Sequence, residues 1–344
     1  MKEKILVTGG TGFIGSHTVV ELQNSGYEVI IVDNLSNSSA SMVDNIEKIT
    51  GIRPAFEEID CCDLQALDGV FSKYPGIKGI IHFAASKAVG ESVQKPLLYY
   101  RNNIVSLLNI LQLMPQHGVK GIIFSSSCTV YGEPDCPPVT EESPIKPALS
   151  PYGNTKQINE EIVRDTVRSG SPISAILLRY FNPIGAHPTA LIGEMPNGVP
   201  QNLIPFLTQT AIGIREQLSV FGDDYGTPDG SCIRDYIYVV DLAKAHVIAM
   251  DRILQDKQKE PVEVFNIGTG NGISVLELIH TFEEATGVKL NYKIAPRREG
   301  DIEKVWADPA KANNELGWSA NTPLADILKT AWAWQCKLRE DGIQ

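Results

Sequence analysis

The stretch Val7-Thr8-Gly9-Gly10-Thr11-Gly12-Phe13-Ile14-Gly15 decides the fold of this chain. It follows an apolar run and leads into a segment, residues 13–24, whose apolar side chains recur at helical spacing. Glycines at such a junction permit a tight turn, close approach of the backbone to a pyrophosphate, and close packing of helix on strand. Two registers fit, one based on Gly9, Gly12 and Gly15 and the other on Gly10, Gly12 and Gly15. Either register predicts a dinucleotide-binding strand–turn–helix unit.

Short apolar runs alternate with helical segments through the first half of the chain. Runs rich in Val, Ile and Leu predict strands that are buried on both faces, and the segments between them predict helices that cover those faces. This is the pattern of an α/β protein with a doubly wound parallel Rossmann sheet, whose ligands lie at the carboxyl ends of the strands. The predicted strands are 5–8, 28–33, 55–58, 79–83, 121–125 and 174–180, and the predicted helices are 13–24, 41–50, 96–117 and 152–169.

The composition changes after Phe181. Residues 182–235 are rich in Gly, Pro, Asn and Asp, which predicts loops folded around a ligand. Further on, 239–254 and 274–286 are predicted helices, 264–267 is a predicted strand, and 241–251 is expected to pack back on the first domain. We expect an NAD-binding domain over 1–181, together with parts of 236–268, and a smaller α/β substrate domain over 182–344.

The totals exclude several classes of protein. A chain of 344 residues exceeds the size at which one core stops growing, which predicts two joined domains. The formal net charge of -11 argues against nucleic-acid binding, and no apolar run is long enough to predict a membrane span. The six cysteines lack paired metal-ligand spacing, so neither a metal site nor a disulfide framework is expected. With no signal-peptide pattern at the N-terminus, we expect a cytoplasmic protein.

Asp33 ends the second predicted strand, 18 residues after Gly15. An acidic residue about 20 positions beyond such a loop accepts hydrogen bonds from the adenosine ribose hydroxyls and repels a 2′-phosphate. Asp33 therefore predicts NAD rather than NADP. The alternative is that Asp33 only caps the following turn.

Tyr152 and Lys156 are separated by four positions at the start of a predicted helix, which places the phenol and the ammonium on one helix face. A neighbouring cation favours the phenolate, so Lys156 is expected to lower the pKa of Tyr152. The run from Ser125 to Thr129 ends a predicted strand, where a serine hydroxyl could bond a reacting oxygen or only cap the turn. Together, the tyrosine, lysine and serine favour an oxidoreductive site.

With these motifs the chain resembles the extended short-chain dehydrogenase/reductase family, and within it the enzymes that epimerise UDP-sugars at C4. The resemblance covers essentially the whole chain, and its strings are long enough to be specific. They are the glycine loop with Ser16-His17, then DNLSNS at 33–38, HFAA at 82–85, KAVGES at 87–92, SSSCTVYG at 125–132, RYFNP at 179–183 and PRREGD at 296–301.

The resemblance implies roles for individual residues. Tyr152 would be the catalytic acid/base, Lys156 would lower its pKa and hold the nicotinamide ribose, and Ser127 would be its hydroxyl partner. Contacts to NAD are implied for Gly9, Gly12, Phe13, Ile14, Gly15, Asp33, Asn34, Asn37, Ser38, Asp60, Cys61, Phe83, Ala84, Ala85, Lys87, Asn102, Tyr152, Lys156 and Phe181. Contacts to the UDP-sugar are implied for Lys87, Ser127, Tyr152, Asn182, Asn202, Leu203, Phe221, Arg234, Arg298 and Asp301.

The implied activity is reversible epimerisation of UDP-glucose and UDP-galactose through a 4-keto intermediate, with transient reduction of tightly bound NAD. A role in galactose metabolism and a homodimer that packs 96–117 and 152–169 against their mates are implied in the same way. Sequence alone leaves the dimer open, because the same apolar stripe could be buried within one chain.

Four other functions are compatible with a fold of this class. Related 4,6-dehydratases carry Asp-Glu after the active-site Ser or Thr, whereas Cys128 and Thr129 follow Ser127 here, which disfavours dehydration. Non-enzymatic Rossmann proteins usually lose the Tyr or the Lys, and both are present. Epimerases of UDP-glucuronate share the C4 oxidation, so this alternative remains open. Epimerases of UDP-N-acetylhexosamines remain open as well, since Val305 occupies a position where relatives carry either a bulky Tyr or a small residue that admits N-acetylated sugars.

Overall fold

The structure is a computed structural model that describes residues 3–298 and 301–343. Within those residues the strands are β1 Lys4–Thr8, β2 Glu28–Asp33, β3 Ala55–Glu58, β4 Ile77–His82, β5 Gly121–Ser127, β6 Ser174–Tyr180, β7 Asn182–Ile184, β8 Leu218–Phe221, β9 Ile233–Arg234, β10 Tyr236–Tyr238, β11 Val262–Ile267, β12 Ile273–Ser274, β13 Tyr292–Ala295 and β14 Lys304–Val305. The α-helices are α1 Phe13–Asn24, α2 Ser41–Thr50, α3 Leu64–Lys73, α4 Val89–Gln94, α5 Pro96–Gln116, α6 Pro151–Arg168, α7 Leu203–Ala211, α8 Val239–Leu254, α9 Val275–Thr286 and α10 Leu324–Glu340.

Among these elements, seven strands form one parallel sheet in the order β3-β2-β1-β4-β5-β6-β11. The strand order reverses between β1 and β4, and such a point opens a crevice at the carboxyl ends of the strands. The predicted doubly wound parallel sheet is therefore confirmed. The later strands form small sheets that pair β10 with β7, β13 with β8, and β9 with both β12 and β14.

Apolar clusters cover both faces of the main sheet. On one face Val7 and Ile81 pack with residues of α1 and α8, such as Leu22 and Met250. On the other face Phe124 and its neighbours pack with residues of α3 and α5. Because β11 joins the main sheet and α8 lies against α1, segments from beyond residue 235 complete this sheet and its helical cover. None of the helices in the described ranges is long and apolar enough to cross a membrane.

The structure adds helices that the sequence pattern did not predict. Helix α3 begins after Asp63, whose side chain accepts from the backbone N–H groups of Gln65 and Ala66. Residues 182–235, expected as loops, contain α7, whose Pro205 lies in the first turn, where a helix needs no backbone N–H donor. Helix α10 and the short α4 were also not predicted. At the site, β5 extends two residues beyond the predicted end, to Ser127.

Candidate active site

The glycine loop is shaped by three close approaches. Gly9 has a φ of 71°, and a Cβ there would lie 2.7 Å from the backbone nitrogen of Ala84. A Cβ on Gly15 would lie 2.1 Å from the carbonyl oxygen of Gly9, so only glycine lets α1 start this close to β1. Gly9, Gly12 and Gly15 line the cleft beyond the strand ends, whereas a Cβ on Gly10 would meet the Ile31 side chain. The structure thus favours the register of Gly9, Gly12 and Gly15.

Asp33 lines the same cleft at the end of β2. Its carboxylate accepts hydrogen bonds from the backbone N–H of Thr11 at 3.2 Å, the backbone N–H of Leu35 at 3.0 Å and the Ser38 hydroxyl at 3.1 Å. The bond from Leu35 is the turn cap of the alternative interpretation. Since the carboxylate also faces the cleft and ties the glycine loop to the loop after β2, capping and ligand binding are compatible.

The cleft has a volume of about 780 Å³ and runs along the carboxyl ends of the sheet. A volume of this order suits a small-molecule or cofactor site. It is lined by the following residues predicted to contact the cofactor: Gly9, Gly12, Phe13, Ile14, Gly15, Asp33, Asn34, Asn37, Ser38, Asp60, Cys61, Phe83, Ala84, Ala85, Lys87, Asn102, Tyr152 and Lys156. Phe181 lies elsewhere, in an apolar cluster with Tyr131 and Val139. A glycine cradle at a helix N-terminus with a carboxylate at the adjacent strand end fits a dinucleotide.

Helix α6 brings the predicted tyrosine and lysine to one end of the cleft. Ser150 caps this helix by accepting from the backbone N–H of Gly153 at 3.1 Å. Tyr152 and Lys156 are both buried, and the ammonium of Lys156 donates to the carbonyl oxygen of Ser125 at 2.6 Å. That ammonium lies 5.8 Å from the centroid of the Tyr152 ring. The phenol, the ammonium and the end of β5 therefore meet at one point.

The pKa of Tyr152 corrects one expectation. Burial raises the pKa of Tyr152 above its ordinary value, and the charges of Tyr180, Cys128 and Tyr99 add to this rise. Ser127, beside the phenol, is the group that opposes it. The nearby Lys156 does not offset this rise, since its ammonium donates to the carbonyl oxygen of Ser125 and burial lowers its own pKa to about 8. The sequence-based prediction of a depressed phenol pKa is wrong for the chain taken alone.

Two of the predicted sugar-binding side chains share a carboxylate across the cleft. Lys87 pairs with Glu194 at 2.9 Å, and the Asn202 amide donates to the same oxygen of Glu194 at 2.6 Å. Glu194 is itself anchored, because the Trp334 indole donates to its carbonyl oxygen at 3.0 Å. All three cleft residues, Lys87, Glu194 and Asn202, are therefore held in one arrangement at the cleft wall.

The other predicted sugar-binding residues lie outside the cleft lining. Their positions are as follows: Ser127 ends β5, Asn182 begins β7, Leu203 begins α7, Phe221 ends β8, Arg234 ends β9, and Arg298 and Asp301 follow β13. The Arg298 guanidinium lies 5.3 Å from the Phe221 ring centroid and pairs with Asp301 at 2.7 Å. Glu299 and Gly300, in the PRREGD string, lie outside the described residues.

This second group borders the catalytic end. Burial raises the pKa of the Cys128 thiol to about 11, and Arg234 is near enough to Cys128, next to Ser127, to oppose that rise. Burial raises the pKa of Tyr236; Arg234 opposes this rise and Asp301 adds to it, so both residues lie near Tyr236. Val305 pairs with Arg234 in the β14–β9 ladder and is buried.

Some cleft residues were missed by the sequence analysis. The Tyr180 hydroxyl bonds that of Ser125, so this phenol from β6 faces the catalytic end, and Thr11 bonds Ser38 at 2.7 Å. Both stand in quoted strings, at a strand end and in the glycine loop, and could have been proposed. Glu194 lies in a loop with no comparable signal.

Comparison with known proteins adds a family. The family model described as GDP-mannose 4,6 dehydratase matches residues 6–331. The UDP-glucose 4-epimerase of Bacillus subtilis is 51% identical over 331 residues, which cover 96% of each protein. The family model and this relative thus span nearly the same part of the chain.

Solved structures of 4-epimerases are also similar to this chain, as the relative from Bacillus is. The UDP-glucose 4-epimerase of Bifidobacterium longum, solved with NAD+ and UDP, is 48% identical with a TM-score of 0.93, and the match covers 97% of this chain and 98% of that one. The UDP-Glc/GlcNAc 4-epimerase of Campylobacter jejuni is 38% identical with a TM-score of 0.83, and the match covers 98% of this chain and 100% of that one. This chain belongs to the UDP-glucose 4-epimerase family, within the larger family matched by the GDP-mannose 4,6 dehydratase model.

Proposed function

We propose that this chain reversibly epimerises UDP-glucose and UDP-galactose at sugar C4 through a 4-keto intermediate, with one NAD retained throughout. One observation supports this most strongly. Tyr152 and Lys156 lie beside the end of β5, at one end of a cleft that is also lined by the glycine loop and Asp33. Membership of the UDP-glucose 4-epimerase family supports the choice of reaction.

The chain's own residues would hold NAD along the cleft. The backbone of the Gly9–Gly15 loop and the N-terminus of α1 would face the pyrophosphate, while Asp33 would bind the adenosine ribose and repel a 2′-phosphate. Near the other end, Lys156 would hold the nicotinamide ribose. When bound there, NAD supplies the acceptor and donor of a hydride at the sugar carbon.

Tyr152 would move the proton of the sugar hydroxyl. Burial keeps this phenol protonated, which suits the step in which it returns a proton to the 4-keto sugar. To accept a proton it needs positive charge nearby, and each unit by which its pKa falls requires about 1.4 kcal/mol of differential interaction. Lys156, with a pKa of about 8, is largely charged at neutral pH and supplies part of that charge. Ser127 would hydrogen-bond the reacting oxygen.

Inversion at C4 requires the 4-keto sugar to turn over between the two hydride transfers while the nucleotide stays fixed. Arg234 and Arg298 offer guanidinium donors suited to a diphosphate, and Phe221 offers an exposed ring beside Arg298. Asn182, Leu203 and Asp301 complete the proposed clamp. On the cleft wall, Lys87 and Asn202 would contact the sugar.

The direct test supplies UDP-galactose to the purified chain without external NAD and identifies the product sugar. Formation of UDP-glucose is expected from the wild type, and a loss of at least about 100-fold is expected from Tyr152→Phe. Tyr74→Phe, a tyrosine that bonds Glu57 at 2.6 Å away from the cleft, is the matched control and should keep full activity. Equal rates for Tyr152→Phe and the wild type would remove Tyr152 from the mechanism.

Five finer points are part of the proposal. The chain would divide into an NAD-binding domain over 1–181 with parts of 236–268 and a UDP-sugar domain over 182–344. It would act in the cytoplasm in galactose metabolism, as a homodimer joined through α5 and α6. Buried Val305 beside Arg234, together with the likeness to a UDP-Glc/GlcNAc 4-epimerase, favours a second activity on UDP-N-acetylhexosamines. An epimerase of UDP-glucuronate is the remaining alternative.

A further inference from the structure

A row of buried polar side chains crosses three adjacent strands next to the active site. Ser126 of β5 pairs in register with Arg179 of β6, and Arg179 pairs with Asn266 of β11. All three are at most 2% exposed. A guanidinium this deeply buried must be neutralised and hydrogen-bonded, because an unpaired buried charge is strongly unfavourable.

Glu160 of α6 neutralises this row. Its carboxylate accepts from Arg179 Nε at 2.9 Å and Arg179 Nη2 at 2.6 Å, and from the Ser126 hydroxyl at 2.6 Å. On its other side Arg179 donates to the Tyr131 hydroxyl at 3.1 Å, which donates to Asn266 at 2.6 Å. A bidentate Arg–carboxylate pair fixes orientation as well as distance. Glu160 is therefore fastened to two strands at once.

The fastening point is next to the catalytic groups on both elements. Glu160 lies one helical turn after Lys156 on α6. Ser126 lies between Ser125, whose carbonyl holds the Lys156 ammonium, and Ser127. Any rotation of α6 or slip of the end of β5 would break the bonds of Glu160.

We propose that Glu160, held by Arg179, is a positioning residue that fixes α6 against β5 and so places Lys156 and Ser127 beside Tyr152. The inference rests on the proposed epimerase function and deepens it. Glu160 acts through Lys156 and the strand end, and does not itself touch the reacting atoms.

The charge of Glu160 also affects the pKa of Lys156, an effect that a purely packing role would not have. Burial lowers the pKa of Lys156 to about 8, and Glu160 opposes this lowering. The titratable or charged groups around Lys156, its partner phenol and Glu160 are Tyr152, Glu160 and Arg164 on α6, His82 on β4, Cys128 just after β5, Arg179 and Tyr180 on β6, and Tyr99 on α5. Of these, Glu160 is the group whose charge raises the pKa of Lys156. Removing its charge should lower the pKa of Lys156, so that the ammonium is lost at lower pH.

The experiment measures kcat for UDP-galactose across pH in the wild type and in Glu160→Gln. We expect kcat to fall about 10- to 100-fold, since small misplacements of catalytic groups have effects of that size. The alkaline limb of the kcat profile should also move to lower pH by about one unit. Ser126→Ala keeps the charge of Glu160 but removes its hydrogen bond to β5. This variant should therefore lower kcat and leave the alkaline limb of the profile at its wild-type pH. Glu142→Gln, which removes an exposed carboxylate, should change neither.

Two further measurements keep the inference falsifiable. If Glu160→Gln fails to fold, the paired variant Glu160→Leu/Arg179→Met removes both charges while filling the space. In either variant, a wild-type kcat with the alkaline limb unmoved overturns the inference. NMR of ¹³Cε-labelled lysine, with Lys156→Met to identify the signal, reads the pKa of Lys156 without turnover. If the wild type fails to epimerise, the proposed function fails, while an unchanged Lys156 pKa in the variant would separately refute the role of Glu160.

Discussion

The ammonium of Lys156 donates to the carbonyl oxygen of Ser125 at 2.6 Å, while the centroid of the Tyr152 ring lies 5.8 Å away. The lysine is thus fastened to the strand end, and its effect on the phenol acts across space. Since Lys156 is buried and its pKa falls from 10.5 to about 8, the fold holds it at a cost in stability.

Replacement of this lysine should therefore raise the free energy of unfolding while abolishing activity. Between pH 8 and 10.5 the unfolded chain binds a proton that the folded chain has lost, so stability rises with pH in that window. Below pH 8 the full penalty of about 3 kcal/mol applies. We expect Lys156→Met to be more stable than the wild type at pH 7 by up to this amount, with the gap shrinking above pH 8, and to lose epimerase activity. Urea unfolding at pH 7 and pH 9.5 measures it; a variant that is less stable at pH 7 would contradict the argument.

The glycine loop offers a matched pair of substitutions. Gly15→Ala places a Cβ 2.1 Å from the Gly9 carbonyl oxygen, so α1 must move from β1; we expect a loss of about 1–3 kcal/mol in unfolding free energy and loss of bound NAD. Gly69→Ala, inside α3, meets nothing within 4 Å and should stabilise by up to about 1 kcal/mol. Denaturant unfolding and assay of NAD in the purified protein check both. Full NAD content in Gly15→Ala would show that the close approach is dispensable.

Asp33 should control both the retention and the choice of dinucleotide. A hydrogen bond to a charged group contributes about 1.5–3 kcal/mol, so Asp33→Asn should weaken NAD binding about 10- to 100-fold and reduce discrimination against NADP. The change also weakens the bonds from Leu35 and Ser38. Asp44→Asn, on the exposed face of α2 where Asp44 pairs with Arg53, is the control. Titration of the NAD-free proteins with both dinucleotides measures this, and unchanged selectivity in Asp33→Asn would refute the role.

Val305 should set the tolerance for acetylated sugars. It is 4% exposed and pairs with Arg234, so its side chain has little room to move aside. We expect the wild type to act on UDP-N-acetylgalactosamine, and Val305→Tyr to lose this activity while keeping that on UDP-galactose. The ratio of kcat/KM for the two substrates is the measurement. No turnover of the acetylated sugar by the wild type would contradict the prediction.

The elements that sequence predicted well are those whose burial leaves a simple pattern. Strands such as β2 and β6 are apolar on both faces and stand out, and the glycine loop requires residues that few other structures need. Helix α3 was missed because its short amphipathic pattern contains Gly69 and is started by a capping Asp63. The pKa of Tyr152 was mispredicted because spacing places Lys156 on the right helix face but says nothing of the burial that raises the phenol's pKa, nor of the Ser125 carbonyl to which the ammonium donates. Glu194 was missed because tertiary contacts alone bring its loop to the cleft.

The proposed homodimer predicts a sensitive position on the outer face of α5. Leu97 is 82% and Leu108 is 45% exposed on this helix, and they are three turns apart on one side, so an apolar stripe faces outward. In a four-helix interface with α6 this stripe would be buried, and a charge there would remain unpaired. Leu108→Lys should therefore yield a monomer by sedimentation velocity, whereas Ile52→Lys, which is 53% exposed after α2, should leave a dimer. Both proteins should fold, because neither side chain belongs to the core. A Leu108→Lys protein that sediments as a dimer at micromolar concentration would place the contact elsewhere.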